Sequence, residues 1–212
     1  MSLHASLATN DTSIAGEKDS LGGGSRILGS GIYLLKVVHA YITKSAGGAM
    51  GLVLNLKTED DKELRQTLWM TSGTAKGCKN YYEKDGAKTY LPGFLLANSL
   101  ALLTIGKEIA TLDTEDKVIN VWNSEAKAES PTKVPMVMEL LGQEVKAAVF
   151  KQTVDKTQKT AAGIYVPPGE TREENEIDKF FRVRDDMTTA EILGKAEKAV
   201  FIGQWAEKWA GK

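Results

Sequence analysis

Between residues 31 and 70 apolar side chains recur at every second position, in three runs separated by polar turns. In the first run, Ile32 to Ile42, Tyr33, Leu35, Val37, His39 and Tyr41 fall on one side and Ile32, Leu34, Lys36, Val38 and Ala40 on the other. A strand apolar on both sides belongs in a closed barrel or a crowded sheet, where both faces are covered. The second run, Leu52 to Lys57, points Leu52, Leu54 and Leu56 inward. After the acidic turn Glu59 to Asp61, the third run, Leu64 to Met70, sets Leu64, Leu68 and Met70 against Arg65, Thr67 and Trp69. The three together predict an antiparallel meander.

The period then changes. Residues 71–90, rich in Gly, Lys and Tyr, read as a polar loop, and Pro92 and Gly93 open the apolar stretch Phe94 to Ile105, whose Leu and Ala content predicts a buried helix. Lys107 to Glu129 is acidic around one short extended piece, Val118 to Trp122, and Pro131 and Pro135 punctuate a linker. Glu144 to Asp155 reads as a strand, 157–171 as a long hairpin loop, and Ile177 to Arg184 as its return strand. From Met187 to Trp209 apolar residues recur at helical spacing, with Thr188 or Thr189 as cap, predicting one or two helices. Met1 to Gly29, rich in Ser and Gly, reads as a flexible arm. The expected organisation is an arm (1–29), a central domain (30–185) and a C-terminal helical extension (186–212).

Strand, strand, strand, helix, strand pair is the order of the OB-fold, so the expected fold is mainly β: an OB-fold-like five-stranded Greek-key barrel with an inserted helix and the C-terminal extension. With 212 residues the chain has room for one sizeable core. No apolar run reaches the roughly 18 residues of a membrane span, and Met1 to Ala15 has neither the basic start nor the apolar stretch of a secretory signal. The expected setting is therefore the cytoplasm, with no membrane partner. A single cysteine, Cys78, excludes an intrachain disulfide, and the two histidines, His4 and His39, have no zinc-ligand partners at suitable spacing. The phosphate-loop, nucleophile-elbow and zinc-protease motifs are missing, so no catalytic residue, metal or cofactor is assigned.

The formal charge of −1, from 27 Lys and Arg against 28 Asp and Glu, argues against a uniformly basic coat. It is a cancellation. Residues 146–163 hold four Lys against one Asp and residues 71–90 four Lys against two carboxylates, whereas 107–129 and 170–186 each carry an excess of three acids. A strand-coating protein needs cations for phosphate and exposed rings on which bases stack. Two places combine them. One is Arg65 and Trp69 on the third strand with Lys76, Lys79, Tyr81 and Tyr82 on the following loop. The other is Lys146, Phe150, Lys151, Lys156, Lys159 and Tyr165 of the late hairpin with Phe181 and Arg182 on its return strand. Trp69 and Phe150 also read as core aromatics, though Arg65 and Thr67 beside Trp69 favour its exposure. The acidic segments are expected to lie off the nucleic-acid path.

The stretch IYLLKVVHAYITKSAGGAMGLVLNLK, the motif YLPGFLLANSLALL, and LGQEVKAAVFKQTVDK followed by GETREENEIDKFF resemble bacteriophage-encoded single-stranded DNA-binding proteins of the OB-fold class over roughly residues 30–185. The resemblance implies a non-catalytic, largely sequence-independent protein that protects and organises exposed single strands of DNA in phage replication or recombination. It further implies contacts with replication or recombination proteins, self-association as an option, and the cytoplasm of an infected bacterium. Many such proteins end in an acidic tail; here Lys195 to Lys212 carries four Lys against two Glu. Trp205 and Trp209, four residues apart, read either as docking on the barrel or as engaging another subunit or a partner. The rival classes are a metal-dependent nuclease built on Asp113, Glu115 and Asp116 or on Glu173, Glu174 and Glu176, and a phage assembly protein acting through the Trp-bearing helices.

Overall fold

The computed structural model of the chain describes residues 27–123, 127–156, 158–159, 165–166 and 169–212; of the expected arm, 1–29, residues 1–26 lie outside them. In chain order the elements are β1 (Gly31–Lys44), β2 (Met50–Thr58), β3 (Glu63–Trp69), β4 (Tyr81–Lys84), β5 (Ala87–Tyr90), α1 (Pro92–Thr104), β6 (Glu115–Asn123), β7 (Ala128–Met136), β8 (Glu144–Asp155), β9 (Gln158–Lys159), β10 (Tyr165–Val166), β11 (Thr171–Phe181), α2 (Thr189–Leu193) and α3 (Phe201–Trp209). The chain is mainly β, and its strand pairs are antiparallel. The main sheet runs β11-β8-β1-β2-β3, with β7 attached to β1 and β6 to β7, making seven strands where five were expected. It is not closed into a barrel: its edges β3 and β11 share no ladder among the described residues. They meet instead through the Gln66 side-chain oxygen, which accepts the Ile177 backbone N–H at 2.7 Å.

The meander forms where alternation predicts it, with Leu52, Leu54, Leu56, Leu64 and Leu68 at 5% exposure or less beneath α1, whose Ala97, Leu100, Ala101 and Leu103 face them. Val145, Ala147 and Val149 of β8 and Phe180 of β11 complete that core. The single-face reading of β1 needs correction. A bulge at Val38 shifts the register between Val37 and His39, so Leu35 and Val37 join the α1 core but Tyr41 turns to the opposite face. One inserted residue reverses the facing of everything after it.

Both sheet faces are covered, though by separate elements and not by barrel closure. The β6–β7 hairpin folds over Tyr41 and Val53 with Val134 and Met136, and α3 covers Ala148 and Phe181 with Trp205. The Pro131–Pro135 stretch is thus part of a strand and not a linker. It is tolerated because β7 shares only the pair Tyr41↔Met136 with β1, leaving the proline nitrogens no ladder to complete there. The expected boundary at residue 29 also moves. Leu28 is buried, and its N–H and C=O bond the Asn175 side chain, both at 2.8 Å. Among the described residues no helix is long and apolar enough to cross a membrane.

Candidate nucleic-acid interface

The first cation-aromatic cluster is assembled by β3 and the hairpin β4–β5. That hairpin replaces the expected loop, and its sequence signal is Asp85-Gly86, both at positive φ (53° and 75°), as a tight two-residue turn demands. Trp69 pairs with Gly51 across the β2–β3 ladder. A Cβ at Gly51 would stand 2.8 Å from the indole Cε3, so the ring lies on a bare stretch of neighbouring backbone and keeps 43% of its surface exposed. At Gly93 a Cβ would meet the Trp69 carbonyl oxygen at 2.3 Å; glycine is what lets the start of α1 cross β3 this closely.

Trp69 and Lys76 line one groove of about 730 Å³ with Thr67, Ser72 and Leu91. Lys76 continues with Lys79, Tyr81 and Tyr82 into an adjoining recess of about 340 Å³ that shares Ser72 and Leu91. The structure therefore brings five of these residues onto one continuous surface. The half-buried Tyr81 ring is flanked by ammonium groups, Lys88 Nζ at 4.7 Å and Lys79 Nζ at 5.5 Å from its centroid. Tyr90 meets Tyr81 edge-on and stacks on Phe94. Tyr82 keeps an open face, 48% exposed. Among the described residues none of Lys76, Lys79, Lys84 or Lys88 forms an ion pair. Lys88 enters the sequence expectation only as one charge of a polar loop and Tyr90 not at all, because nothing short of the β4–β5 pairing sets both beside Tyr81.

Arg65 stands on the same strand but in a different place. Its Nη2 donates to the Tyr41 hydroxyl at 3.2 Å, and it lines a separate groove of about 490 Å³ between the sheet and the β6–β7 hairpin.

The second cluster is largely spent on the protein itself. The basic strand β8 pairs along the acidic strand β11, so the charges expected to lie apart are neighbours. Lys151 binds Glu173 at 2.6 Å and Lys156 binds Glu170 at 2.7 Å, while Lys146 pairs with Asp186. The Lys156 ammonium beside Glu170 holds that carboxyl below its ordinary range. Arg182 grips Asp185, Nε to Oδ1 at 2.9 Å, and that hydrogen bond pulls the Asp185 carboxyl down in the same way.

Its rings are covered as well. Phe181 is fully buried, and Phe150 packs against Trp205 and Trp209 at centroid distances of 5.1 and 5.0 Å. These two are corrected from stacking platforms to packing residues, and Lys146, Lys151, Lys156 and Arg182 from free phosphate ligands to ion-pair partners. Lys159 and Tyr165 face each other across the short β9–β10 ladder, and their side chains lie outside the described residues.

α3 docks through Trp205, 3% exposed, whose indole N–H donates to Asp178 Oδ2 at 2.7 Å at the β11 bulge. Glu191 ties the helical extension together. One oxygen completes a capping box with Thr188 at the start of α2, and the other accepts the N–H groups of Val200 and Phe201 where α3 begins. Burial pushes this carboxyl up, but the four hydrogen bonds outweigh it and hold it below its usual value.

Four of the six carboxylates of the nuclease reading are held individually, Glu115 by Lys117, Asp116 by Lys133, Glu173 by Lys151 and Glu174 by Arg172, and Glu176 accepts from the Gln152 amide. Among the described residues no three His, Cys, Asp or Glu side chains are grouped as a metal site. No known family's model matches the chain, and no curated protein matches it in sequence.

Proposed function

We propose that the protein binds single-stranded DNA without catalysis and largely without sequence preference, along the surface made by β3 and the β4–β5 hairpin. The observation that carries this reading is the continuity of Trp69, Lys76, Lys79, Tyr81 and Tyr82 around grooves that share Lys76, with ammonium groups not committed to carboxylates among the described residues. Phosphates of a passing strand would replace counterions at Lys76, Lys79 and Lys88, and bases would stack on Trp69 and Tyr82. Rings accept any base because every base has a π-face, which gives affinity without a sequence code.

The strand order supports an OB-like scaffold for this activity. Setting aside the two small hairpins and the β6–β7 arm, the sheet reads fifth-fourth-first-second-third with a helix between the third and fourth strands. The Gln66 bridge to Ile177 lies where barrel closure would fall. The resemblance to phage single-stranded DNA-binding proteins adds replication or recombination as the setting, with the proteins of those processes as partners.

Fluorescence anisotropy with labelled oligo-dT at two salt concentrations tests the reading. Expected is binding that weakens steeply with salt; no binding, or binding indifferent to salt, overturns it.

A further inference from the structure

The β6–β7 hairpin does more than cover Tyr41. Its outer strand presents Trp122, 55% exposed, beside Ile119 and Val121, which pack against the sheet. Trp122 lines the groove of about 490 Å³ whose other wall is β1–β3, with His39, Asn55 and Arg65. An exposed indole, an arginine with no carboxylate partner among the described residues and an asparagine whose buried Oδ1 has no hydrogen-bond partner therefore share one groove.

We infer that this groove is a second segment of the single-strand path, in which Trp122 stacks a base against the arm while Arg65 takes the adjoining phosphate. The inference rests on the single-stranded DNA reading and extends it to a wall the first cluster does not contain. Arg65 and Trp69 stand on the same exposed side of β3, four residues apart, so a strand lying along β3 passes from one groove to the other. The Asn120 amide supplies hydrogen-bonding groups for base edges between them. Two carboxylates also line the groove. Glu63 is held by Lys57 at 3.6 Å, whereas Glu129, opposite Trp122 on the β6–β7 ladder, has no ion-pair partner among the described residues. Phosphates therefore run along the Arg65 wall, and the Glu129 side is left to bases.

The test measures affinity of the full chain for an oligo-dT series of increasing length, comparing wild type, Trp122→Ala, Trp122→Phe and Glu129→Gln, each checked for unchanged thermal unfolding. Trp122→Ala is expected to bind the shortest oligomers like wild type and to lose about tenfold on those long enough to reach the arm. Trp122→Phe should recover most of that loss, and Glu129→Gln should bind long oligomers about twofold more tightly. Quenching of intrinsic fluorescence by long oligomers should be smaller in Trp122→Phe than in wild type. If wild type binds every length and Trp122→Ala matches it throughout, the second segment is wrong and the β3–β5 surface stands alone. If Trp69→Ala weakens binding about tenfold at every length while Trp122→Ala follows wild type only on short oligomers, both segments hold. Wild type that binds no length overturns both readings.

Discussion

Two regions of this molecule carry nearly the same list of residue types, and the fold treats them oppositely. Around β3–β5, Lys76, Lys79 and Lys88 stand beside Trp69, Tyr81 and Tyr82 with no ion pair among the described residues. Around β8–β11, Lys146, Lys151, Lys156 and Arg182 each hold a carboxylate, and Phe150 and Phe181 lie under α3. What distinguishes them is the neighbour. The β4–β5 hairpin is a small two-stranded sheet of its own, whereas β8 is flanked along its length by an acidic strand. A cation count marks both as sites; only a count of cations left over separates them.

The sharpest way to break the comparison is to empty each region of its largest ring. Phe181→Ala should cost about 3–5 kcal/mol of stability, since it leaves a cavity between the sheet and α3. The fraction that remains folded should bind oligo-dT like wild type. Chemical unfolding followed by anisotropy below the transition checks both halves; a loss of affinity by folded protein would return β8–β11 to the binding surface.

Next in size is removal of the cations. Lys76→Ala, Lys79→Ala and Lys88→Ala combined should weaken oligo-dT binding on the order of 100-fold and lower the salt slope by about 2, with thermal stability little changed. The matching triple change at Lys146, Lys151 and Lys156 strands Asp186, Glu173 and Glu170 and should alter affinity by less than about threefold. Equal losses from the two triples would erase the distinction. Smaller again is Trp69→Ala, expected to reduce affinity by about tenfold at unchanged secondary structure, because the ring is a half-exposed lid over Gly51 and not a core element.

The contrast was only partly legible in the sequence. Alternation places Leu52 to Leu56 and Leu64 to Met70 correctly because each run has one apolar face, and α1 and β8 are found for similar reasons. The bulge at Val38 leaves no mark, since β1 is apolar on both sides and either register satisfies the pattern. β7 is hidden by Pro131 and Pro135, which read as breaks until the nearly unpaired edge beside them is seen. Ion pairing is harder still. Lys151 and Glu173 are distant in sequence and meet only because the hairpin sets Lys151 opposite Asn175, so the pairing becomes visible once β8 and β11 are laid against each other in register. The segmental charge sums were right, but a sum over a segment does not say which strand the opposing sum lies beside.

The smallest effect concerns what keeps the second region shut. Glu191 accepts backbone N–H groups at the start of both α2 and α3, so Glu191→Gln should lower stability by about 1 kcal/mol, as loss of a good cap does. The pH dependence follows from the direction of its shift. Hydrogen bonding to the ionised form holds the folded-state carboxyl below its unfolded value, so the stabilisation is fully present above the ordinary glutamate range, near about pH 4.3, and disappears as pH falls through the folded value. The stability difference between wild type and Glu191→Gln should accordingly be constant at neutral pH and shrink in acid, measured by urea unfolding across that range. Loosening α3 uncovers Phe150, but Lys151 still faces Glu173 and Lys156 still faces Glu170. Oligo-dT affinity at neutral pH should therefore stay at the wild-type value. A variant that gains affinity would mean that α3, and not the paired carboxylates, is what withholds β8–β11 from DNA.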